Sequence, residues 1–269
     1  MSIISLTSAK GAPGVSTTAL AMALSWPRPV ILIEADVAGS SSYLAGYLQG
    51  QTPHDRGLVD LAMANRSGDL LDAIHTNSLP LPGGGTARLV PGLASPVQAT
   101  TMTPAWESIA AALREYAQQG TDVIIDAGRL GTVGGPWPLV RSADLVLLTT
   151  RTNLPAVAAT RASAPVLREN LQLMGGGGDV LALLLIGQGQ PYTAREISNA
   201  LTLPVAATVE FDPVNAEVLS YGATAPRRFQ NSAFVRSIST ANASLIQHIE
   251  NRQARLATPG PRSGEAPHV

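Results

Sequence analysis

The stretch Ile3-Ile4-Ser5-Leu6-Thr7-Ser8-Ala9-Lys10-Gly11-Ala12-Pro13-Gly14-Val15-Ser16-Thr17-Thr18 reads as a strand, a glycine loop and the start of a helix. Ile3, Ile4 and Leu6 form a short β-rich apolar run, Gly11 and Gly14 interrupt it, and Thr17 to Leu24 has helix-forming composition until Pro27 stops it. A loop so placed points backbone N–H groups and the positive end of a helix dipole at whatever lies above it, which suits a phosphate. Ser16 and Thr17 supply hydroxyls that either cap the helix or reach Mg²⁺ and a phosphate oxygen. Lys10 is the only lysine in the chain; every other permanently cationic side chain is an arginine. A strict P-loop ends Gly-Lys-Ser/Thr, whereas here Gly14 is followed by Val15, which carries no charge to set against a phosphate.

Two further segments end apolar runs in acids. Val30-Ile31-Leu32-Ile33-Glu34-Ala35-Asp36 predicts a buried strand that delivers Glu34 and Asp36 to its C-terminal end. Val123-Ile124-Ile125-Asp126-Ala127-Gly128 predicts another, with Asp126 at the edge where a parallel sheet holds ligands and Mg²⁺. Taken singly, Lys10 is equally a solvated loop lysine, Asp36 a turn cap and Asp126 a strand-end ion-pair partner. Their joint order argues for one nucleotide site.

In that order the three segments resemble the ParA/MinD family of P-loop ATPases and its deviant Walker A loop, Lys-Gly-Gly-x-Gly-Lys-Thr-Thr. On that pattern Lys10 is the signature lysine, Gly11 and Gly14 match, Ala12 replaces a glycine, Val15 replaces the P-loop lysine, and Ser16 and Thr17 match the hydroxyl pair. Glu34 stands for the first aspartate of switch I, Asp36 for the second, and Asp126 for the Walker B carboxylate. The resemblance runs on through Asp144 to Thr150, Asn153-Leu154-Pro155 with its alanine-rich helix, Val180 to Ile186, and Leu203 to Asp212 with a helix from about Pro213 to Tyr221. It thus covers roughly residues 1–250.

The resemblance implies ATP and Mg²⁺ as cofactors. Gly11, Ala12, Pro13, Gly14, Val15, Ser16 and Thr17 would bind the phosphates, and Gln188 would stand in for an adenine-reading Asn or Asp. Ser16, Asp36 and Asp126 would hold the metal, with Asp36 also facing the γ-phosphate and the attacking water. Lys10 would act in trans across a nucleotide-sandwich homodimer. Arg129 falls in the region of switch II, where it would meet a phosphate, a partner carboxylate or a structural acid.

The expected fold is α/β, a mostly parallel twisted sheet with helices on both faces, as a single domain over 1–256 with a disordered tail over 257–269. Net charge is −1, with 14% charged and 4% aromatic residues, so bulk charge announces neither an acidic nor a basic partner. Cysteine is absent, which excludes disulfides, thiolate metal sites, a cysteine nucleophile and cysteine-ligated iron–sulfur clusters. With no export signal in the N-terminal residues and no apolar stretch long enough for a membrane span, a cytoplasmic location is expected. Gly83-Gly84-Gly85 and Gly175-Gly176-Gly177-Gly178 read as connections, not second phosphate loops. Phe234, Ile238, Ala241, Leu245, Ile249 and Leu256 recur at helical spacing and read as a face packed on the sheet in preference to a membrane-binding helix. Arg227, Arg228 and Arg236 form the densest basic candidate for DNA and read as a solvated face. His54, His75, His248 and His268 lack metal-ligand spacing, and Trp26, Trp106 and Trp137 read as core or lid residues.

Two functional classes follow. One is a slow, dimer-dependent ATPase that positions DNA or a cell-envelope machine. The other is a non-hydrolysing ATP-binding adaptor whose closed dimer is read by a partner. Val15 divides them, because losing a positive charge about 4 Å from a phosphate forfeits about 4 kcal/mol at an effective dielectric near 20. A Rossmann dinucleotide enzyme or a dethiobiotin-synthetase-like ligase fits less well, since the loop is not Gly-x-Gly-x-x-Gly and lacks the ordinary lysine.

Overall fold

A computed structural model describes residues 1–10, 13–173 and 179–257. Gly11, Ala12, the Gly175–Gly178 connection and the tail from residue 258 lie outside the described residues, as does the side chain of Leu256.

The apolar runs form the centre of an eight-stranded sheet. Its strands are β1 (Ile3–Ser8), β2 (Val30–Glu34), β3 (Leu79–Pro80), β4 (Arg88–Val90), β5 (Asp122–Arg129), β6 (Leu145–Arg151), β7 (Leu181–Ile186) and β8 (Val205–Val209). Their order is β3-β4-β2-β5-β1-β6-β7-β8. All neighbours are parallel except β3 and β4, whose antiparallel connection contains Gly83-Gly84-Gly85. Strands buried on both faces favour apolar side chains throughout, so β2 and β7 appear as nearly continuous aliphatic runs, while β1 buries Ser5 and Thr7 between its aliphatic residues.

Alternate side chains of each strand feed two separate cores. Ile3, Ile33, Val123, Ile125, Val146 and Leu183 point to one face. There they meet Trp106, Ile109 and Leu113 of α5 (Trp106–Gln118) and Leu167 and Leu171 of α7 (Leu154–Leu173). Ile4, Leu6, Leu32, Ile124, Leu147 and Leu184 point to the other, against α1 (Val15–Leu24) and α10 (Ala233–Ala257). Each such buried Leu or Ile stabilises the fold by about 2 kcal/mol of transfer free energy. The helical-spacing face of Phe234, Ile238, Ala241, Leu245 and Ile249 is buried on the sheet, as its periodicity predicted. The first face is completed by α2 (Leu58–Ala64), α3 (Leu70–Thr76), α4 (Ala99–Met102), α6 (Trp137–Ser142) and α8 (Ala194–Leu201), while α9 (Pro213–Ser220) contributes Leu219 to the second.

Two acids, Asp122 buried and Asp144 half-buried, tie the N-terminal rim of the sheet. Asp122 accepts from Ser2 N at 2.7 Å, Trp26 Nε1 at 2.8 Å and Arg28 Nε at 2.7 Å, which accounts for Trp26 as a core residue. Asp144 accepts from Ile3 N and from Arg114, fixing the end of β1 against β6. Among the described residues, no helix is long and apolar enough to cross a membrane.

Candidate functional site

The opposite, C-terminal rim gathers the loops that follow β1, β2, β5, β6, β7 and β8. From the centre of the sheet, the connection after β1 leads toward β2 on one side, whereas β5 is followed by β6 on the other. This reversal opens a crevice at the strand ends, where open α/β sheets bind ligands. A cavity of about 530 Å³ fills it, lined by the glycine loop and by Asp36, Arg129, Arg151 and Phe211 among others.

The floor is the start of α1. Gly14 is the N-cap, with φ 109° and ψ 30°, a conformation that glycine adopts without the strain a side chain would bring. No side chain caps this helix and no acid lies in its first turn, so its first N–H groups remain free of a side-chain acceptor. Pro13, Gly14, Val15, Ser16 and Thr17 all line the cavity. Val15 is only 7% exposed and belongs to the second core, so the position that a P-loop gives to lysine carries no charge here.

Asp36 lines the same cavity. Its Oδ1 accepts from Ala38 N at 2.9 Å, which fixes the turn after β2. Its carboxylate lies against Gly128, where a Cβ would come within 2.3 Å of Asp36 Cγ and where φ is 62°. Only glycine lets the β5 loop pass this close to the acid.

Asp126 is placed differently. It is fully buried and is not among the residues that line the cavity. Its Oδ2 accepts from the Tyr43 hydroxyl at 2.8 Å, its Oδ1 accepts from Gly128 N at 3.0 Å, and the Ser16 side chain is a further hydrogen-bond partner. Burial pushes its carboxyl up to about 6, against the opposing pull of the Ser16 and Tyr43 hydrogen bonds; the charges of Glu34 and Asp36 push the same way as burial. Tyr43 is itself raised well above its ordinary value, chiefly by burial and then by Asp126 and Glu34.

Glu34 does not reach the cavity. It is buried and accepts from the Ser41 hydroxyl, from Ser42 N and Oγ, and from Gly92 N, so it anchors the loop that carries Tyr43. The remaining predicted residues fall outside the main cavity. Lys10 is exposed and lines a neighbouring space of about 280 Å³ with Pro13, Arg151, Asn153, Pro155, Ala156 and Ala159. Gln188 is exposed and absent from the cavity lining, while Phe211 and Tyr221 present aromatic surface there. Arg129 is exposed at the rim. Gly11 and Ala12 lie outside the described residues.

For Mg²⁺ the oxygen donors suit a hard cation that keeps most of its waters: the Ser16 hydroxyl and the Asp36 carboxylate face one cavity. Asp126 stands behind Ser16 as its hydrogen-bond partner. No group of three or more His, Cys, Asp or Glu is arranged to hold a metal among the described residues.

Tyr43, Arg151 and Phe211 carry no motif in the sequence. Each reaches the site through loop or strand-end packing; the hints in the sequence were the position of Arg151 directly after a predicted strand and that of Phe211 at the end of the Leu203 to Asp212 stretch.

No protein-family model matches the chain, and no curated protein matches it. Solved structures do. A ParA family ATPase from Chlorobium tepidum superposes with a TM-score of 0.70 at 16% identity, covering 90% of this chain and 98% of that one. The septum site-determining protein MinD of Pyrococcus horikoshii, complexed with Mg-ADP, gives 0.66 at 16% identity, covering 90% and 94%. A chain of the MinC:MinD cell division protein complex of Aquifex aeolicus gives 0.65 at 15%, covering 98% and 100%. At such identities the likeness establishes the fold, that of the ParA and MinD ATPases.

Proposed function

We propose that this chain, folded as the ParA and MinD ATPases are, is an ATP-binding switch that closes as a homodimer over Mg-ATP. The observation that carries the reading is the cavity that brings Gly14, Ser16, Thr17 and Asp36 together at the C-terminal rim of the sheet. The uncapped start of α1 receives the phosphates on its N–H groups and dipole. Mg²⁺, when bound, neutralises phosphate charge; Ser16 and Asp36 would hold it. Asp126 lies behind Ser16, outside the cavity lining, as its hydrogen-bond partner. Phe211 and Tyr221 offer the base an apolar seat.

Binding is better supported than rapid turnover. Val15 removes the lysine that would hold the β- and γ-phosphates, and Asp126 is enclosed by Tyr43. The adaptor reading follows from those two residues. The exposure of Lys10 beside a second open space favours the alternative, a slow ATPase in which Lys10 of one subunit serves the phosphates of the other. Positioning of DNA or of an envelope machine is the cargo role that the fold's relatives suggest. The two readings separate in one experiment: calorimetric titration of the purified chain with Mg-ATP alongside measured phosphate release, repeated with Lys10→Ala. Turnover abolished by the substitution supports the ATPase, binding without turnover supports the adaptor, and no binding sinks both.

A further inference from the structure

We propose that Arg151 supplies, within the same chain, the positive charge that the glycine loop lacks at Val15, and that it grips the polyphosphate of the ligand. The inference rests on the nucleotide reading of the cavity and names the group that makes that reading electrostatically workable.

A polyphosphate over Gly14–Thr18 needs a nearby cation, since uncharged N–H groups alone leave several negative charges uncompensated. Val15 cannot serve, being an aliphatic side chain turned into the core. Lys10 is not among the residues that line the main cavity. Among the described lining residues the cations are Arg129 and Arg151, set against Asp36, Glu210, Asp212 and Glu217. Asp212 is engaged as the N-cap of α9, accepting from Asn215 N and Nδ2.

Of the two arginines, Arg129 is exposed at the rim, whereas Arg151 is half-buried and better held. It ends β6, the strand paired directly with β1, whose own end opens into the glycine loop; Ser8 of β1 lies opposite Thr149, two residues before Arg151. Its guanidinium lies 4.6 Å from the centroid of the Phe211 ring, a stack that fixes the orientation of its plane. The backbone beside it is fixed as well, because the Thr152 hydroxyl bonds to Gly187 O and Gln190 O. Arg151 also shares with Pro13 the property of lining both the main cavity and the Lys10 space. A pre-oriented planar fork matches phosphate oxygens in pairs, which an ammonium does not.

The test is calorimetric titration of the full-length chain and its variants with Mg-ATP and, separately, adenosine. Arg151→Ala is expected to weaken Mg-ATP by about tenfold or more while changing adenosine by less than about twofold. Arg151→Lys, which keeps charge without the fork or the stack, should fall between, and Val15→Lys added to Arg151→Ala should recover most of the loss. Wild-type protein that binds no Mg-ATP overturns the nucleotide reading and this inference with it. Wild-type binding that Arg151→Ala leaves within about twofold overturns this inference alone. Equal loss of ATP and adenosine, or no recovery in a double variant with native circular dichroism, assigns Arg151 to packing on Phe211 and overturns it too. If the double variant does not fold, the ATP-to-adenosine comparison on Arg151→Ala decides.

Discussion

Asp126 stores unfavourable charge at neutral pH. Its carboxyl is pushed up to about 6 from the ordinary 3.8, mainly because burial disfavours the anion. The folded state therefore holds that proton more tightly than the unfolded chain does. Its contribution to stability is greatest below the unfolded value and is lost as pH rises from about 4 toward 6, after which it is constant. Over that window the effect is of order 2–3 kcal/mol. Asp126→Asn, which cannot ionise, should be more stable relative to wild type at pH 7 than at pH 4.5, and thermal melts at the two values check this. Tyr43→Phe removes a donor that favours the anion, so the Asp126 carboxyl should rise further and stability at pH 7 should fall by about 1–2 kcal/mol. A melt unchanged within error at pH 7 would refute that second expectation. Neither role could be read from the sequence: Asp126 was recognised as a strand-end carboxylate, but Tyr43 meets it only because Glu34 holds Ser41 and Ser42 and folds the loop back.

Elements were legible in proportion to their burial. β1, β2, β5, β6 and β7 read as strands because each carries a short apolar, β-rich run, which a parallel strand covered on both sides favours. β3 and β4 escaped notice because strands of two and three residues carry no period to detect. The late strand, expected within Leu203 to Asp212, is Val205–Val209, and Phe211 just beyond it enters the site through the loop. The ties at the N-terminal rim left no signal either, since an acid opening β5 looks like any loop residue until Ser2, Trp26 and Arg28 converge on it. Asp122→Ala would strand a buried indole N–H, a backbone N–H and part of an arginine's charge. It should cost about 3 kcal/mol or more, read as a lowered midpoint in urea with an unchanged slope.

At the scale of the whole molecule, chain order pointed to one rim because the glycine loop and Asp36 follow parallel strands and Asp126 lies in the C-terminal half of a third, and parallel strands end on one rim. What order did not foretell is that Asp126 faces inward, that Gln188 lies outside the cavity and that Lys10 lines a different space. A lysine exposed beside a second opening suits service to a neighbour. Mg-ATP should accordingly shift the light-scattering mass from one chain of 27.8 kDa toward twice that, and Lys10→Ala should weaken the shift. A wild-type mass unmoved by saturating Mg-ATP would remove the dimer from the account.

The two rims of the sheet are finished in opposite ways. Asp122 and Asp144 lace the N-terminal rim with bonds to backbone, indole and guanidinium, while the C-terminal rim consists of loops around an open space. A ligand arriving at that second rim would meet Arg151 and Phe211 in its lining, away from the bonds that hold the opposite rim. Any rearrangement on binding would then fall on the loop edge, with the laced edge as its fixed frame.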